Sequence, residues 1–517
     1  MSRAPTGVST AGGPPNSQRG RKAGAHRVTR KAWLAGLLAL LGSACAPMSG
    51  PNSAPRAELD AIEAALGRHI GVLASDEYEG RRPGTHGEAL TLRYLAREWQ
   101  AIGLESGTND PANPWYAPVD LVMAMPSAGV VSFTSAGRTV DLPEQAVTVF
   151  GTQRRDLVKG APLLFVGNVA KVQPIELVGR VPTLNFAGPQ SMDRIEQLAA
   201  SGAAAVMVLG TRAELAPLIE ARSHGAYRLA SDDRPLAPIV LVDRDAALAQ
   251  PGVQPFSGRF RDADREDFRP TALPVTLSLD TRAQLADVRT HNLIARLPGR
   301  DPQLGAVLIL SHWDHFGVCR PEGEPDRICN GAVDNASGLA MMTELARLLA
   351  DGPRLDRDVY FLATTAEEWG LLGASAFVAE PPVPLSSVVG AFNLDTGALA
   401  PRGKPVAVVM QGLAPFDAEV LRVIAATGRA VAGQDVAAQY LRRQDGWALL
   451  QADVPTVLVS GSYADADLLD RFIQTRYHQP GDTADGLELG GAAEDVLLHL
   501  ALVRHFADRE RFTPAAE

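Results

Sequence analysis

The stretch Asn330-Gly-Ala-Val-Asp334-Asn335-Ala-Ser-Gly338 places an acidic residue on a turn of small residues. Apolar residues between Leu339 and Leu349 then recur at intervals of three and four, which predicts a helix that begins directly after the turn. Segments that contain His, Glu and Asp stand on both sides of this stretch. Our interpretation is that these segments together bind two metal ions and that Asp334 bridges the ions.

Continuous apolar runs alternate with helical patterns around this stretch. The runs that predict buried strands are Ala306–Leu310, Val359–Ala363, Val388–Leu394, Val406–Met410 and Thr456–Val459. Strands of this kind, separated by helices, are typical of an α/β fold in which a mostly parallel sheet is covered by helices on both faces. Earlier in the chain, a helix is predicted at Glu88–Ile102, where Gly103 ends it.

Polar residues follow the first three of these strands. The first strand leads into His312, the second into Glu367-Glu368, and the third into Asp395. In an open α/β sheet, the ligand site lies outside the carboxyl ends of the strands. The sequence therefore predicts that these side chains meet at one edge of the sheet.

The predicted ligands comprise two imidazoles and three carboxylates: His312, Asp334, Glu368, Asp395 and His478. Mixed nitrogen and oxygen ligands suit Zn²⁺ or another borderline divalent ion. Five ligands are too many for one tetrahedral ion, whereas a shared carboxylate would let them hold two ions about 3.5–4 Å apart. Each motif alone also fits an ordinary polar surface, a helix start, a strand-end cap or a turn. Their joint occurrence at strand ends favours the metal site.

Two further acidic residues have predicted roles beside the ligands. Glu367 is next to a ligand and is itself spare, so it would take a proton from metal-bound water and pass it to the leaving amine. Asp314 comes two residues after His312 and would accept the second ring N–H of that histidine, which fixes its tautomer. His315 is assigned no ligand role.

Residues 131–287 differ from the rest of the chain in their sequence pattern. They contain short apolar runs, one helical pattern and no ligand-like cluster of His, Asp and Glu. They predict a small β-rich domain inserted into the main one. The runs are Pro162–Val166, Ala204–Leu209 and Pro238–Val242, and the helix is Met192–Ala200. The main domain would then consist of residues 57–130 and 288–510.

The first 45 residues resemble a targeting segment. Basic residues precede an apolar run, Ala32–Leu41, and small residues then lead to Cys45. The run is too short to span a bilayer as a helix, and its flanks fit a secretory signal. The sequence predicts export, either as a periplasmic or cell-envelope lipoprotein attached to the membrane through Cys45, or as a secreted protein. Residues 46–56 would form a linker.

The net charge of the chain indicates which kinds of partner it suits, and its remaining cysteines bear on whether a disulfide forms in an exported protein. The net charge is −10, and the first 50 residues contain only basic charges, so the body of the protein is acidic and unsuited to binding nucleic acid. Cys319 and Cys329 lie between the His312 and Asp334 motifs. In an exported protein a disulfide closing this loop is expected, and two free thiols are the alternative.

These motifs resemble those of the co-catalytic di-zinc exopeptidases, which include bacterial leucine aminopeptidases, glutamate carboxypeptidase and the transferrin receptor ectodomain. The motifs are Ser311-His-Trp-Asp-His, Asn330–Gly338, Ala366-Glu-Glu-Trp-Gly, Asn393-Leu-Asp-Thr, Tyr477-His-Gln-Pro-Gly-Asp-Thr and Leu73–Gly84. The resemblance implies the zinc-exopeptidase fold. It also implies that residues 131–287 are a protease-associated domain.

The resemblance further implies roles for individual residues. His312 and Asp395 would hold one zinc ion, Glu368 and His478 would hold the other, and Asp334 would bridge the two. Glu367 would be the general base, the Tyr477 hydroxyl would stabilise the oxyanion, and the Asp334–Asn335 peptide bond would be cis. Arg442–Trp447 departs from the family pattern of Ser-Asp followed by aromatic residues, and this segment bears on the substrate pocket.

The predicted function is that of an aminopeptidase that removes amino-terminal residues from peptides by attack of a metal-bridging hydroxide. A carboxypeptidase-type enzyme on the same site is an alternative, in which Arg442 or Arg443 would clamp the substrate carboxylate. A non-catalytic binding ectodomain is a second alternative, but it predicts lost ligands and all five are present. The sequence does not indicate an oligomeric state.

Overall fold

A computed structural model describes residues 55–514, apart from 169–171, 189–190, 233–235, 251, 255–256, 266, 414 and 434–436. The predicted targeting segment, Cys45 and most of the predicted linker lie outside the described residues. Within the described part of the chain, no helix has both the length and the apolar character needed to cross a membrane.

The described chain alternates helices and strands. The helices are α1 (Arg56–Leu73), α2 (His86–Ile102), α3 (Pro174–Leu177), α4 (Ser191–Ala199), α5 (Arg212–Ser223), α6 (Arg244–Leu248), α7 (Ser257–Arg261), α8 (Ser337–Ala350), α9 (Leu372–Ala379), α10 (Phe416–Thr427), α11 (Gly446–Leu450), α12 (Ala466–Thr475) and α13 (Gly490–Phe506). The strands are β1 (Glu105–Ser106), β2 (Tyr116–Ser135), β3 (Arg138–Asp141), β4 (Val147–Phe150), β5 (Asp156–Phe165), β6 (Val181–Asn185), β7 (Val206–Gly210), β8 (Ala226–Leu229), β9 (Ile239–Asp243), β10 (Thr271–Leu297), β11 (Ala306–His312), β12 (Gly317–Val318), β13 (Ile328–Cys329), β14 (Asp358–Thr364), β15 (Val388–Asn393), β16 (Ala407–Val409) and β17 (Thr456–Ser460).

The metal-site half of the molecule is built on a mixed sheet with the order β16-β17-β15-β11-β14-β10. The strands β14, β11, β15 and β17 are parallel, whereas β10 and β16 run antiparallel at the two sides. Every residue of β11 and β14 is buried. This explains their continuous apolar sequences, since helices cover both faces of a parallel sheet.

Two hydrophobic clusters line the two faces of this sheet. One contains side chains of α1, α2, α8 and α13, and the other contains side chains of α9 and α11. The predicted α/β fold, a mostly parallel sheet between layers of helices, is confirmed. Helix α2 ends where the sequence predicts, because Gly103 adopts a left-handed conformation (φ 94°) that stops the helix.

A long antiparallel ribbon connects this sheet to a second group of strands. Strand β10 pairs with β2 from Leu293 opposite Tyr116 to Thr276 opposite Thr134, and it continues to β5 and the order β5-β6-β7-β9-β4. These strands have hydrophobic clusters of their own. We call residues 131–287 the inserted segment; its two ends lie within β2 and β10.

Candidate metal centre

Three adjacent strands deliver predicted ligands to one edge of the sheet. His312 is the last residue of β11, which lies between β14 and β15. After β14 the chain forms a single turn, Glu367–Trp369, and Asp395 follows β15 by two residues. The parallel arrangement therefore places all three loops side by side, as the sequence predicts.

The Asp334 turn occupies residues 332–336, directly before α8. The Asp334–Asn335 peptide bond is cis, which confirms the expectation from the resemblance. The Asn335 amide ties this turn to the neighbouring loops, because its Nδ2 donates to Ser311 Oγ (3.1 Å) and to the Leu394 carbonyl (3.0 Å). Each of these partners belongs to a segment that carries a predicted ligand.

Gly338 explains why the start of α8 requires a residue without a side chain. A Cβ atom at this position would lie 2.3 Å from Asn335 Oδ1 and 2.3 Å from the Leu394 carbonyl oxygen. Neither atom can move freely, because the Asn335 side chain and the backbone at Leu394 are hydrogen-bonded to each other. The small residue therefore permits the close packing that positions the turn.

The two carboxylate oxygens of Asp334 face different histidines. Oδ1 lies 3.2 Å from His312 Nε2, and Oδ2 lies 3.3 Å from His478 Nε2. On the first side, His312 Nε2 is 3.7 Å from Asp395 Oδ1; on the second, His478 Nε2 is 3.0 Å from Glu368 Oε2. The structure thus brings all five predicted ligands together, with Asp334 in the middle.

The donor set fits divalent cations. His312, Asp334 and Asp395 offer ligand atoms within 4.8 Å of one another, and His315, Asp334 and Glu368 form a second such group. Burial lowers the pKa of His312, but the carboxylates of Glu367, Asp334 and Asp395 outweigh it and hold this pKa well above its ordinary value. Such a concentration of buried negative charge favours a cation.

Asp314 contacts the site differently from the sequence-based expectation. Its carboxylate oxygen is 3.9 Å from His312 Nδ1, too far for a hydrogen bond, and the ring N–H instead donates to the Asp314 backbone carbonyl (3.2 Å). The carboxylate accepts the backbone N–H groups of Glu367 (3.1 Å) and Glu368 (3.4 Å). Asp314 therefore orients the Glu367–Trp369 turn.

Glu367 remains partly open to solvent at the edge of the site. Desolvation raises the pKa of its carboxyl group well above the ordinary value; the imidazole of His312 opposes this shift, while the carboxylates of Asp445 and Glu368 add to it. Asp445 lies in the segment that departs from the family pattern. It is buried and accepts a hydrogen bond from the Thr364 hydroxyl, and burial raises its pKa to about 6.

Tyr477 lies against a predicted ligand. Its ring stacks on the ring of His478 at a centroid separation of 3.6 Å. Burial raises the pKa of the Tyr477 hydroxyl well above its ordinary value, so the group is a proton donor at neutral pH.

His315 is a residue whose position the sequence interpretation missed. Its side chain is buried, and Nδ1–H donates to Glu368 Oε1 at 2.6 Å. Glu368 is thus held through one oxygen while the other faces His478. The spacing of two histidines around Asp314 was the available signal, but spacing alone could not show which way the second ring points.

Asp482 and Arg81 support the Asp334 turn, and the sequence interpretation assigned them no role. The Asp482 carboxylate accepts the backbone N–H groups of Val333 and Asp334 at 3.1 Å. The Arg81 guanidinium is fully buried and donates to backbone carbonyls on both sides of the site, including those of Trp313 (2.9 Å) and Gly331 (2.8 Å). Both residues lie within motifs that carry the resemblance.

A disulfide joins Cys319 to Cys329, which is the first of the two alternatives that the sequence left open. It closes a loop whose two short strands, β12 and β13, pair antiparallel. Cys329 Sγ lies 3.4 Å from the backbone oxygen of His478, so the loop borders the metal centre.

Residues 292–501 match the model of peptidase family M28. A 68-residue stretch is 46% identical to aminopeptidase YwaD of Bacillus subtilis and covers 13% of this chain and 14% of that protein. A 92-residue stretch is 33% identical to the vacuolar membrane protease of Candida dubliniensis and covers 18% of this chain and 9% of that protein. The matched stretches thus span a small part of either relative's length. An aminopeptidase from Aneurinibacillus sp. strain AM-1 shares the fold, with a TM-score of 0.53 at 17% identity over 86% of this chain and 94% of that one.

Proposed function

We propose that this chain, whose residues 292–501 match the model of peptidase family M28, is a zinc-dependent aminopeptidase that removes amino-terminal residues from peptides. The observation that carries the proposal is the position of Asp334, whose two oxygens lie 3.2 Å and 3.3 Å from the ring nitrogens of two different histidines. A carboxylate in this position is arranged to be shared between two cations.

His312 and Asp395 would hold one zinc ion, Glu368 and His478 the other, and Asp334 both. Zinc bound in this way would supply Lewis-acid polarisation of the scissile carbonyl and activation of the attacking water. The imidazole and carboxylate donors match the ligands that zinc accepts in hydrolases. The relative named as an aminopeptidase, YwaD, supports the choice of reaction.

Glu367 would be the general base. Its carboxylate would take a proton from the attacking water and deliver it to the nitrogen of the leaving amine. Desolvation raises the pKa of this carboxyl group well above its ordinary value, which favours acceptance of the proton from water. Asp314 would hold the backbone of the Glu367–Trp369 turn, so that Glu367 and Glu368 keep their relative positions.

The Tyr477 hydroxyl would donate a hydrogen bond to the oxygen that becomes negative as the carbonyl is attacked. Its ring is fixed by stacking on His478, and the raised pKa keeps the proton on the hydroxyl. A preorganised donor of this kind would act in the transition state more than in the ground state.

Export is the proposed destination. The Cys319–Cys329 disulfide supports it, because disulfides persist in oxidising compartments and are rare in the cytosol. A signal segment at residues 1–45 and lipid attachment at Cys45 complete this proposal, and residues 131–287 are proposed to be a protease-associated domain.

The function is tested with purified protein that begins after Cys45. Amino-acid p-nitroanilides with a free α-amine should be cleaved, amino-terminally blocked peptides should not be, and a zinc chelator should abolish cleavage. Cleavage of blocked peptides alone would exclude an aminopeptidase, and activity that survives complete removal of metal would exclude a metallopeptidase.

A carboxypeptidase-type activity is the second candidate. The observation that favours it is the position of the Arg443 side chain. The Arg443 guanidinium lies 5.7 Å from the Tyr440 ring centroid and opposes the burial-driven rise in the pKa of Tyr477, so a cation stands near the site. Release of carboxyl-terminal residues from blocked peptides, lost in Arg443→Gln, would establish this alternative.

A further inference from the structure

The inserted segment reaches the metal centre through one tyrosine. Tyr227 lies on β8, which pairs with β2 in the ribbon that joins the two groups of strands. Its ring packs edge to face against Trp369, with centroids 4.7 Å apart and planes at 84°. Trp369 belongs to the same turn as Glu367 and Glu368. A residue of the inserted segment therefore contacts the turn that carries the proposed base and a proposed ligand.

Arg82 connects this contact to the metal-site half of the molecule. Its guanidinium carbon lies 5.0 Å from the ring centroids of both Tyr227 and Trp369, and its Nε donates to the Tyr227 hydroxyl at 3.1 Å. The same side chain donates to the carbonyls of His224 (2.7 Å) and Gly225 (3.0 Å) in the inserted segment. Since Arg82 is buried, these contacts are made away from bulk water and resist rearrangement.

The aromatic contacts continue to a proposed ligand. The Phe316 ring lies 5.4 Å from that of Trp369 and 4.3 Å from that of His478. Arg82 Nη1 also donates to the Phe316 carbonyl at 3.3 Å. Direct contacts thus run from Tyr227 through Trp369 and Phe316 to His478, whose Nε2 lies 3.0 Å from Glu368 Oε2.

We propose that Tyr227 is a positioning residue for the half of the metal centre formed by Glu368 and His478. It acts through Trp369 and Phe316, with Arg82 holding the contact together. Rotamers of metal ligands must be locked by the residues behind them, and loss of such support weakens metal binding about 10–100-fold. The His312 and Asp395 half has no ring in this series of contacts, so the effect should be confined to one ion.

The proposal rests on the proposed zinc site and is tested by metal binding in addition to catalysis. Zinc is titrated against a competing chelator for the full-length protein and for Tyr227→Ala, Tyr227→Phe and Trp369→Leu. In Tyr227→Ala and Trp369→Leu, one zinc should bind about 10–100-fold more weakly while the other keeps its wild-type affinity. Tyr227→Phe should stay near wild type in metal binding, because the ring remains; kcat should fall in the first two variants with a smaller change in KM.

Tyr360→Ala is the matched control. Tyr360 is as buried as Tyr227 (7% against 6% exposed) but lies on β14 in a different hydrophobic cluster, the one that contains side chains of α9 and α11. Equal weakening in Tyr360→Ala and Tyr227→Ala, or wild-type affinity for both ions in Tyr227→Ala and Trp369→Leu, would overturn the proposal. If Tyr227→Ala fails to fold, the zinc affinities of Trp369→Leu alone decide the outcome of the test. Wild-type protein that binds zinc but lacks aminopeptidase activity would overturn the proposed function and leave this inference standing, whereas wild-type protein that binds no zinc would overturn both.

Discussion

Replacing Arg81 by methionine should weaken both the fold and the metal centre. The guanidinium donates to four buried carbonyl oxygens: those of Leu73 (2.8 Å), Trp313 (2.9 Å), Asn330 (2.5 Å) and Gly331 (2.8 Å). Trp313 follows a proposed ligand directly, and Asn330 and Gly331 directly precede the Asp334 turn, so one side chain joins both loops. Methionine is similar in length but donates no hydrogen bond.

The magnitude follows from the acceptors that would be left without a donor. A buried polar group that loses its partner costs about 1–3 kcal/mol. Four such carbonyls would cost about 4–6 kcal/mol once entry of water and relaxation of the loops are allowed for. Because the loops carry His312 and Asp334, metal affinity should also fall, by about 10–100-fold.

Arg357 provides the control for this substitution. It is also buried and donates to three backbone carbonyls, those of Leu304 (2.8 Å), Phe506 (2.8 Å) and Phe512 (3.0 Å). Arg357→Met should therefore lower the unfolding free energy of the metal-free protein, measured in urea, by a comparable amount. It should leave the zinc dissociation constants unchanged when these are measured by chelator competition. Equal metal affinities in the Arg81 and Arg357 variants would refute the reasoning.

Three further outcomes are expected. Glu367→Gln should lower kcat about 10²–10⁴-fold while total zinc, measured by atomic absorption, stays at the wild-type level; retained turnover would remove its assignment as the base. Burial lowers the pKa of His499 to about 4, so the folded state favours the neutral imidazole. The stability that depends on this neutral side chain is complete above the unfolded pKa of 6.5 and is lost as the pH falls towards 4. The free energy of unfolding of the wild-type protein, measured in urea, should therefore fall by up to about 3 kcal/mol between the unfolded and folded pKa values, relative to that of His499→Gln. Parallel pH profiles of the two proteins would contradict this. Replacing Cys319 and Cys329 by serine should lower the unfolding free energy by about 3 kcal/mol, as expected for a short closed loop, and an unchanged denaturation midpoint would count against it.

Much of the metal half could be predicted from the sequence. The strands around His312 and Asp395 are continuous apolar runs because both faces of their sheet are buried, and such runs need no knowledge of their partners. Three of the proposed ligands follow at the carboxyl ends of these strands, so the fold rule alone places them together. The Cys319–Cys329 bond was also accessible, since both residues lie in one short loop.

The ribbon of β2 and β10 was harder to predict. The buried positions of β10 alternate with exposed ones over much of its length, and this pattern does not show where one domain ends and the next begins. The sequence interpretation placed a boundary at Val131, which lies within β2 and pairs with Leu279 of β10. A strand that continues from one hydrophobic core to the next has no turn or loop to mark the boundary between them.

The sequence by itself determined most of the elements around the candidate site and which side chains are proposed as ligands, because local hydrophobic patterns and residue chemistry are sufficient for both. Only the tertiary structure decided the support around them. Arg81 meets Trp313 across 232 positions of chain, Arg82 meets Tyr227 across 145, and Asp314 orients the Glu367–Trp369 turn rather than His312. These partners come from distant segments whose packing depends on the whole fold. The direction in which a buried side chain points is therefore set by what surrounds it, and its neighbours in the sequence do not contain that information.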